Sequence, residues 1–162
     1  STMSLETVKK YFNTLGLGQR VMEFPISSAT VEKAAIAVGC AEREIAKTMA
    51  FKVNGSVVLV VMAGDARIDN AKFKAHFHAK AVMLKGDEVE ELIGHPAGGV
   101  CPFAIHEGVV VYLDESLKRF GIVYPACGSG NSAIGLDLKE LQTYSHYKDW
   151  VDVSKGWNDN IV

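Results

Sequence analysis

The dipeptide Asn54-Gly55 constrains the fold of this chain more than any other short segment. It separates two strongly apolar segments, Lys47–Val53 and Ser56–Met62. Asparagine followed by glycine readily supplies the two positive φ angles of a two-residue hairpin turn. The sequence therefore predicts a β-hairpin over residues 47–62.

Helical and extended patterns alternate on both sides of this hairpin. Apolar spacing, caps and stop residues predict helices at 5–15 after Ser4, 30–38 before Gly39, 69–77 from Asp69, 87–93 before Gly94, 114–120 and 138–144. Strands are predicted at 20–24, 81–84, 109–113, 122–126 and 133–136, and a polar tail is predicted after Tyr144. Because the elements interleave without a repeat, we expect an α/β (α+β) fold. It should be a single domain over residues 1–162, with a mixed β-sheet or partly closed barrel and packed helices.

The composition limits the partners that this chain can bind. A net charge of −2 and a pI near 6.2 argue against clamping a long duplex, because such binding neutralises many phosphates. We therefore expect no DNA partner, although contact with the end of a nucleic acid is compatible with this charge. The chain lacks both an apolar run of roughly 20 residues and a secretion signal, which predicts a cytoplasmic protein without a membrane partner.

The three cysteines, Cys40, Cys101 and Cys127, are widely separated and odd in number. This pattern is typical of reduced thiols in a cytosolic protein rather than of a disulfide framework. There is no C-x-x-C pair, and His76 and His78 point to different sides of their predicted helix. We therefore expect neither a metal nor a cofactor.

Lys47 is the first candidate for a functional side chain. With the two-residue period of a strand, it shares a face with Met49, Phe51 and Val53, which are all apolar. A lysine on such a face must be paired, desolvated or open to a cavity, because an isolated buried charge is costly. A lysine near a strand end can equally extend its ammonium into solvent.

Two glycine-rich loops are the second and third candidates. In the segment from Gly94 to Phe103, the adjacent Gly98 and Gly99 allow a ligand to approach the backbone, and free N–H groups there could bind an oxyanion. The loop Gly128–Ser132 has the composition of a turn that binds anions or hydroxyls, but it matches neither the dinucleotide fingerprint nor the P-loop. Either loop could also be an ordinary connection.

Cys101 could be a thiol nucleophile if His95 or His106 served as its base, although most lone cysteines are small packing residues. The charged residues Asp65, Arg67 and Asp69 are expected to pair with one another and fix their loop.

Three segments together resemble the YbaK-like family, which includes the editing domain inserted in bacterial prolyl-tRNA synthetases and its free-standing relatives. The segments are Ile45-Ala46-Lys47-Thr48, the stretch Ala63-Gly64-Asp65-Ala66-Arg67-Ile68-Asp69, and Gly94–Phe103 with its Gly98-x-x-x-Pro102 core. Their order and separation fit the family, and the resemblance extends from about Leu5 to Tyr144.

The resemblance implies an aminoacyl-tRNA deacylase that hydrolyses the ester of a small, mischarged amino acid on tRNA. The expected partners are the acceptor end of a mischarged tRNA and an aminoacyl-tRNA synthetase. The resemblance places the family's lysine at Lys47 and its glycine-x-x-x-proline loop at Gly98 and Pro102. We assign catalytic roles to Lys47, Gly98 and Gly99. The residues assigned to substrate binding are Met22, Val100, Cys101, Pro102, Gly128, Ser129 and Asn131.

The chain also departs from the patterns of particular branches of that family. Gly130–Ile134 stands where the branch specific for cysteinyl-tRNA has a positively charged turn and an acidic residue. No histidine lies between Cys127 and Gly135, where the alanine-specific branch is expected to have one. The resemblance therefore leaves open which amino acid is removed. A non-catalytic adaptor that binds a tRNA end or a synthetase is the alternative function.

Overall fold

The chain forms a curled mixed sheet with helices packed against it, in a computed structural model that describes residues 2–158. The helices in this range are α1 (Thr2–Thr14), α2 (Val31–Val38), α3 (Asn70–Phe77), α4 (Gly86–Ile93) and α5 (Leu138–Ser145). The strands are β1 (Met22–Glu23), β2 (Ile45–Val53), β3 (Ser56–Ala63), β4 (Arg67–Ile68), β5 (Val82–Met83), β6 (Val110–Asp114), β7 (Ile122–Pro125), β8 (Ser132–Ala133), β9 (Leu136–Asp137), β10 (Asp149–Val151) and β11 (Ser154–Lys155).

The predicted hairpin forms the centre of the main sheet. Asn54 and Gly55 adopt φ angles of 50° and 84°, and β2 pairs antiparallel with β3 from Ala46 opposite Ala63 to Val53 opposite Ser56. The sheet runs in the order β10-β6-β3-β2-β7-β9, with β5 on the side of β2. Strands β3 and β6 are parallel, as are β2 and β7, so the sheet is mixed as expected.

Aromatic and aliphatic side chains fill the space between this sheet and the helices. Residues 59–63 of β3 have no exposed surface, which is consistent with a strand covered on both faces. Phe12 of α1 packs edge-on against Phe103 at 4.8 Å between ring centroids, and Phe51 lies at the same distance from Phe73. Burial of these residues supplies most of the driving force for the fold.

Local capping chemistry determines several of the helix ends. Thr30 accepts a hydrogen bond from the Lys33 backbone at the start of α2, and Asp69 accepts one from Lys72 at the start of α3. The predicted cap at Asp69 is confirmed, and the predicted start of the second helix near Thr30 agrees with the cap found there. Ser4, in contrast, lies inside α1, which begins at Thr2, so its prediction as a cap was wrong.

Other predicted elements are shorter or different in kind. The strand predicted at 20–24 is limited to β1, and the strand predicted at 133–136 is two short pieces, β8 and β9. The helix predicted at 114–120 is a 3₁₀ turn, Glu115–Arg119, whose start is capped by the Asp114 side chain.

The segment after Tyr144 is not a simple polar tail, because it contributes β10 and β11. Strand β10 runs parallel to β6, and β11 pairs with β4. The fully buried carboxylate of Asp114 accepts hydrogen bonds from the backbone of Ser116 and Val153 and from the Ser154 hydroxyl. A side chain distant in sequence therefore holds this segment, which local periodicity could not indicate.

Candidate functional site

A cleft of about 290 Å³ opens where the first half of β2 meets β7, α2 and the loop that contains Gly98. This volume is close to the lower end of the range for ligand pockets, roughly 300–1,000 Å³, so it suits a small group. The cleft is lined by Ser28, Ala29, Thr30, Val31, Ala34, Ile45, Ala46, Lys47, Thr48, Met49, Ala97, Gly98, Val100, Tyr124, Ala126, Ser132 and Ala133.

Strand pairing brings these distant segments together. Ile45 pairs with Tyr124 in the parallel contact between β2 and β7, which forms the floor of the cleft. The segment before α2 is attached to the second glycine loop by hydrogen bonds from Phe24 N to Asn131 O (2.8 Å) and from Ser28 N to Gly130 O (2.7 Å). One wall of the cleft is therefore made of two loops that hold each other in place.

Lys47 is half-buried in the lining of this cleft. Its Nζ donates a hydrogen bond to the Gly64 carbonyl oxygen at 3.3 Å. Burial lowers the pKa of Lys47 from its ordinary value, and the nearby negative charge of Asp65 opposes this effect. The strand therefore presents a partly desolvated ammonium to a small pocket, where its charge acts more strongly than it would in water.

Gly98 and Gly99 play different structural parts. Gly98 lines the cleft. Gly99 is buried, and a Cβ atom there would lie 2.4 Å from Ser129 N, so only glycine allows the two loops to pack this closely. Gly99 N donates to the Pro96 carbonyl at 2.9 Å, which engages the amide that we expected to bind a reacting oxygen. The Gly99 amide is therefore not free in this turn, and its assigned role stays a prediction.

The second glycine loop borders the cleft mainly through Ser132. Gly128 packs against α1, where a Cβ atom would lie 2.8 Å from Ser4 O. The Ser129 hydroxyl donates to Asn131 Oδ1 at 2.8 Å, and Asn131 Nδ2 donates to Phe24 O at 3.1 Å. These polar groups stabilise the loop, and Ser129 and Asn131 line a neighbouring depression beside residues 23–27.

The remaining residues predicted for substrate binding fall into two groups. Val100 lines the cleft, whereas Met22 lies on β1 opposite Ala133, next to the lining. Pro102 and Cys101 are buried, and Cys101 has no exposed surface. Burial raises the pKa of the Cys101 thiol to about 12, which disfavours the thiolate that a nucleophile requires.

The histidine next to the first glycine loop is likewise a structural group. The His95 ring is fully buried, with Nδ1 bonded to the Ser4 hydroxyl and Nε2 lying 2.6 Å from Phe103 O. Burial lowers the pKa of His95, so the ring is held neutral. Its hydrogen bonds connect α1 to the loop and do not involve the Cys101 sulfur.

Two buried hydroxyl oxygens belong to residues that line the cleft. Within residues 2–158, the Oγ atom of Ser28 and the Oγ1 atom of Thr48 are the buried side-chain polar atoms without a hydrogen-bond partner. Such atoms are uncommon in proteins, and water or a ligand usually satisfies them. In the same part of the chain, no three His, Cys, Asp or Glu side chains form a group that could hold a metal ion.

Sequence reasoning missed the walls contributed by Ser28–Val31, Ala34 and Tyr124. No local motif marks them, because their place in the cleft depends on the pairing of β2 with β7 and on the contact between the two loops.

Within residues 2–158, no helix is long and apolar enough to span a bilayer.

Comparison with known proteins identifies a family for this arrangement. The family model described as the aminoacyl-tRNA editing domain matches residues 27–144. The chain is 51% identical over 156 residues to the uncharacterized protein YwhH of Bacillus subtilis (strain 168), covering 96% of the chain and 99% of that protein.

Two further comparisons connect the chain to prolyl-tRNA synthetases. It is 28% identical over 131 residues to the proline–tRNA ligase of Geobacillus sp. (strain WCH70), covering 78% of the chain but 23% of the ligase. Its fold matches the crystal structure of a candidate trans-editing enzyme for prolyl-tRNA synthetase with a TM-score of 0.84 and 29% identity, covering 94% of this chain and 98% of that one.

Proposed function

Because the chain belongs to the family of aminoacyl-tRNA editing domains, we propose that it hydrolyses the ester bond of a small amino acid wrongly attached to tRNA. One observation carries this proposal: Lys47 and Gly98 line the same small cleft. An ammonium beside glycine backbone suits a reaction in which a carbonyl oxygen becomes negatively charged.

The reaction needs no protein nucleophile in this site. Water attacks the ester carbonyl carbon, a tetrahedral oxyanion forms, and the carbon–oxygen bond to the terminal ribose then breaks as the ribose oxygen takes up a proton. We assign Lys47 to stabilisation of the oxyanion, and Gly98 and Val100 to the wall that orients the aminoacyl group. Holding water and ester together in the cleft supplies the remaining acceleration.

The size and the charge of the molecule indicate which part of the substrate it contacts. A cleft of about 290 Å³ accommodates a small aminoacyl group. With a net charge of −2, the chain suits contact with the acceptor end rather than with the whole tRNA. We place the terminal nucleotide in the neighbouring depression formed by residues 23–27, Ser129 and Asn131. The proposed setting is the cytoplasm, together with an aminoacyl-tRNA synthetase.

A deacylation screen tests this proposal. The purified protein is incubated with tRNA mischarged with alanine, serine, cysteine or threonine, and the release of free amino acid is measured under single-turnover conditions without added cofactor. Release from at least one of these substrates, well above the spontaneous rate, is the expected result. Binding of mischarged tRNA without any release would support the adaptor function instead and would contradict the proposed reaction.

A further inference from the structure

The ammonium of Lys47 contacts a peptide turn that the structure holds rigidly. Lys47 Nζ donates to the carbonyl oxygen of Gly64, the residue that follows β3. A Cβ atom at Gly64 would lie 2.0 Å from the Glu42 carbonyl oxygen and 2.8 Å from Val31 Cγ1. The turn is therefore pressed against the segment before β2 and against α2, and the carbonyl has little freedom to move away from the ammonium.

The next residue in this turn, Asp65, is fixed by an ion pair of good geometry. Arg119 Nη1 donates to Asp65 Oδ2 at 2.9 Å, and Nη2 donates to Oδ1 at 2.6 Å. The two side chains are only 8% and 15% exposed. A two-point contact between guanidinium and carboxylate defines orientation as well as distance. We expected Asp65 to be fixed from within its own loop, but this partner lies 54 residues further along the chain.

The C-terminal segment braces Arg119 in turn. The guanidinium lies 4.5 Å from the ring centroid of Phe120 and 4.8 Å from that of Trp157, and its Nε donates to Ser116 O at 2.9 Å. Trp157 Nε1 donates to the Ser154 hydroxyl on β11 at 2.8 Å. Residues after 144 lie beyond the match to the family model, so this support comes from outside the matched region.

Asp65 also affects the charge of Lys47. Burial lowers the pKa of Lys47, and the Asp65 carboxylate raises it. Arg119 competes for the same carboxylate. The other ionisable side chains on the strand of Lys47 and on the elements packed around it are Lys52 on β2, Glu32 and Lys33 on α2, Glu42, Arg43 and Glu44 before β2, and Tyr124 on β7.

We propose that Asp65 is a positioning residue that keeps the Lys47 side chain charged and directed at the Gly64 turn, with its influence set by Arg119. The inference rests on the proposed hydrolysis, because only a charged Lys47 can stabilise the oxyanion. The residue acts through Lys47 and makes no contact with substrate.

Substitution of the two members of the ion pair should move the titration of Lys47 in opposite directions. Asp65→Asn removes the carboxylate, so burial is unopposed and Lys47 loses its proton at a lower pH than in the wild type. Arg119→Gln leaves the carboxylate with one fewer competing cation, so Lys47 loses its proton at a higher pH. A merely structural role would not separate the two variants in this way.

The titration is followed by NMR of protein carrying ¹³C-labelled lysine, with the Lys47 signal assigned from its absence in Lys47→Ala. Glu88→Gln is the matched control, because Glu88 pairs with Lys52, which is exposed and belongs to a different surface. Thermal unfolding shows whether each variant folds. If Asp65→Asn does not fold, the double variant Asp65→Asn/Arg119→Gln, which leaves two neutral partners, should lose the Lys47 proton at a lower pH than Arg119→Gln, because these two proteins differ only in the carboxylate.

Deacylation provides the second readout. In Asp65→Asn the rate should match the wild type at low pH and fall short at high pH, about tenfold for each unit by which the Lys47 midpoint has dropped. An unmoved Lys47 titration, or shifts of the same sign in both variants, with normal deacylation, would overturn the role of Asp65 alone. A wild-type protein that deacylates no mischarged tRNA would overturn the proposed function itself, and the catalytic purpose of Asp65 with it.

Discussion

The two adjacent glycines of the first loop should respond differently to alanine. Gly99→Ala should destabilise the protein, whereas Gly98→Ala should preserve the fold and reduce activity. At Gly99 the added Cβ would lie 2.4 Å from Ser129 N and 2.6 Å from the Gly128 carbonyl carbon. At Gly98 the nearest atom would be the Ala29 Cβ, at 3.3 Å.

The expected size of the effect follows from these distances. Ordinary contacts begin at 3.4 Å, so the loops around Gly99 must separate by about 1 Å. Overpacking of this kind lowers the free energy of unfolding by about 1–3 kcal/mol. For a chain of this length each kcal/mol corresponds to roughly 2–4 °C in Tm, so Tm should fall by roughly 2–12 °C. At Gly98, Ala29 has to move by at most a few tenths of an ångström to make room for the new methyl group. The methyl group instead narrows the cleft beside Ala29.

Thermal and urea unfolding, combined with single-turnover deacylation, measure both effects. The Gly99→Ala protein should melt at a lower temperature than the wild type. The Gly98→Ala protein should melt within about 2 °C of it, while its rate constant falls. An unchanged melting temperature for Gly99→Ala would refute the close packing of the two loops. Full activity in Gly98→Ala would remove Gly98 from the site.

Two further predictions concern buried groups. Cys101→Ala should retain deacylation within about twofold and lose about 1 kcal/mol of stability from the small cavity, because the thiol is in the core; a rate reduced a hundredfold, measured on folded protein, would instead support a thiol mechanism. The pKa of His95 is lowered in the folded state, so the folded protein binds fewer protons than the unfolded one below pH 6.5. The free energy of unfolding should therefore fall as the pH drops below that value, by at most about 1.4 kcal/mol for each pH unit. Urea unfolding at pH 7.5 and 5.5 should show a smaller loss in His95→Gln than in the wild type, and equal losses would show that His95 does not contribute to the pH dependence.

Much of the fold could be predicted because its signals are local. Asn54-Gly55 defines the central hairpin, and Thr30, Asp69, Gly39 and Gly94 define helix ends. Each of these residues acts on its own backbone or on that of a residue three or four positions away. The local sequence pattern is therefore enough to predict where these turns and helix ends lie.

The parts that could not be predicted depend on contacts between distant residues. The last strands are held by Asp114, and Asp65 is held by Arg119, in both cases across tens of residues. Lys47 was singled out because its charge lies on an otherwise apolar face of its strand. Tyr124 and Ala34 have no comparable signal in the sequence. Gly99 was placed in the correct loop, but the bond from its amide to Pro96 could not be read from the sequence.

In the proposed reaction, the ammonium of Lys47 stabilises the transition state of ester hydrolysis. The most direct test compares single-turnover deacylation by Lys47→Ala and Lys52→Ala, two lysines of the same strand of which Lys52 is exposed and paired with Glu88. Lys47→Ala should lose about 100-fold or more in rate while its unfolding curve shows a folded protein, and Lys52→Ala should stay within about twofold of the wild type. Equal rates in the two variants would contradict this role of Lys47.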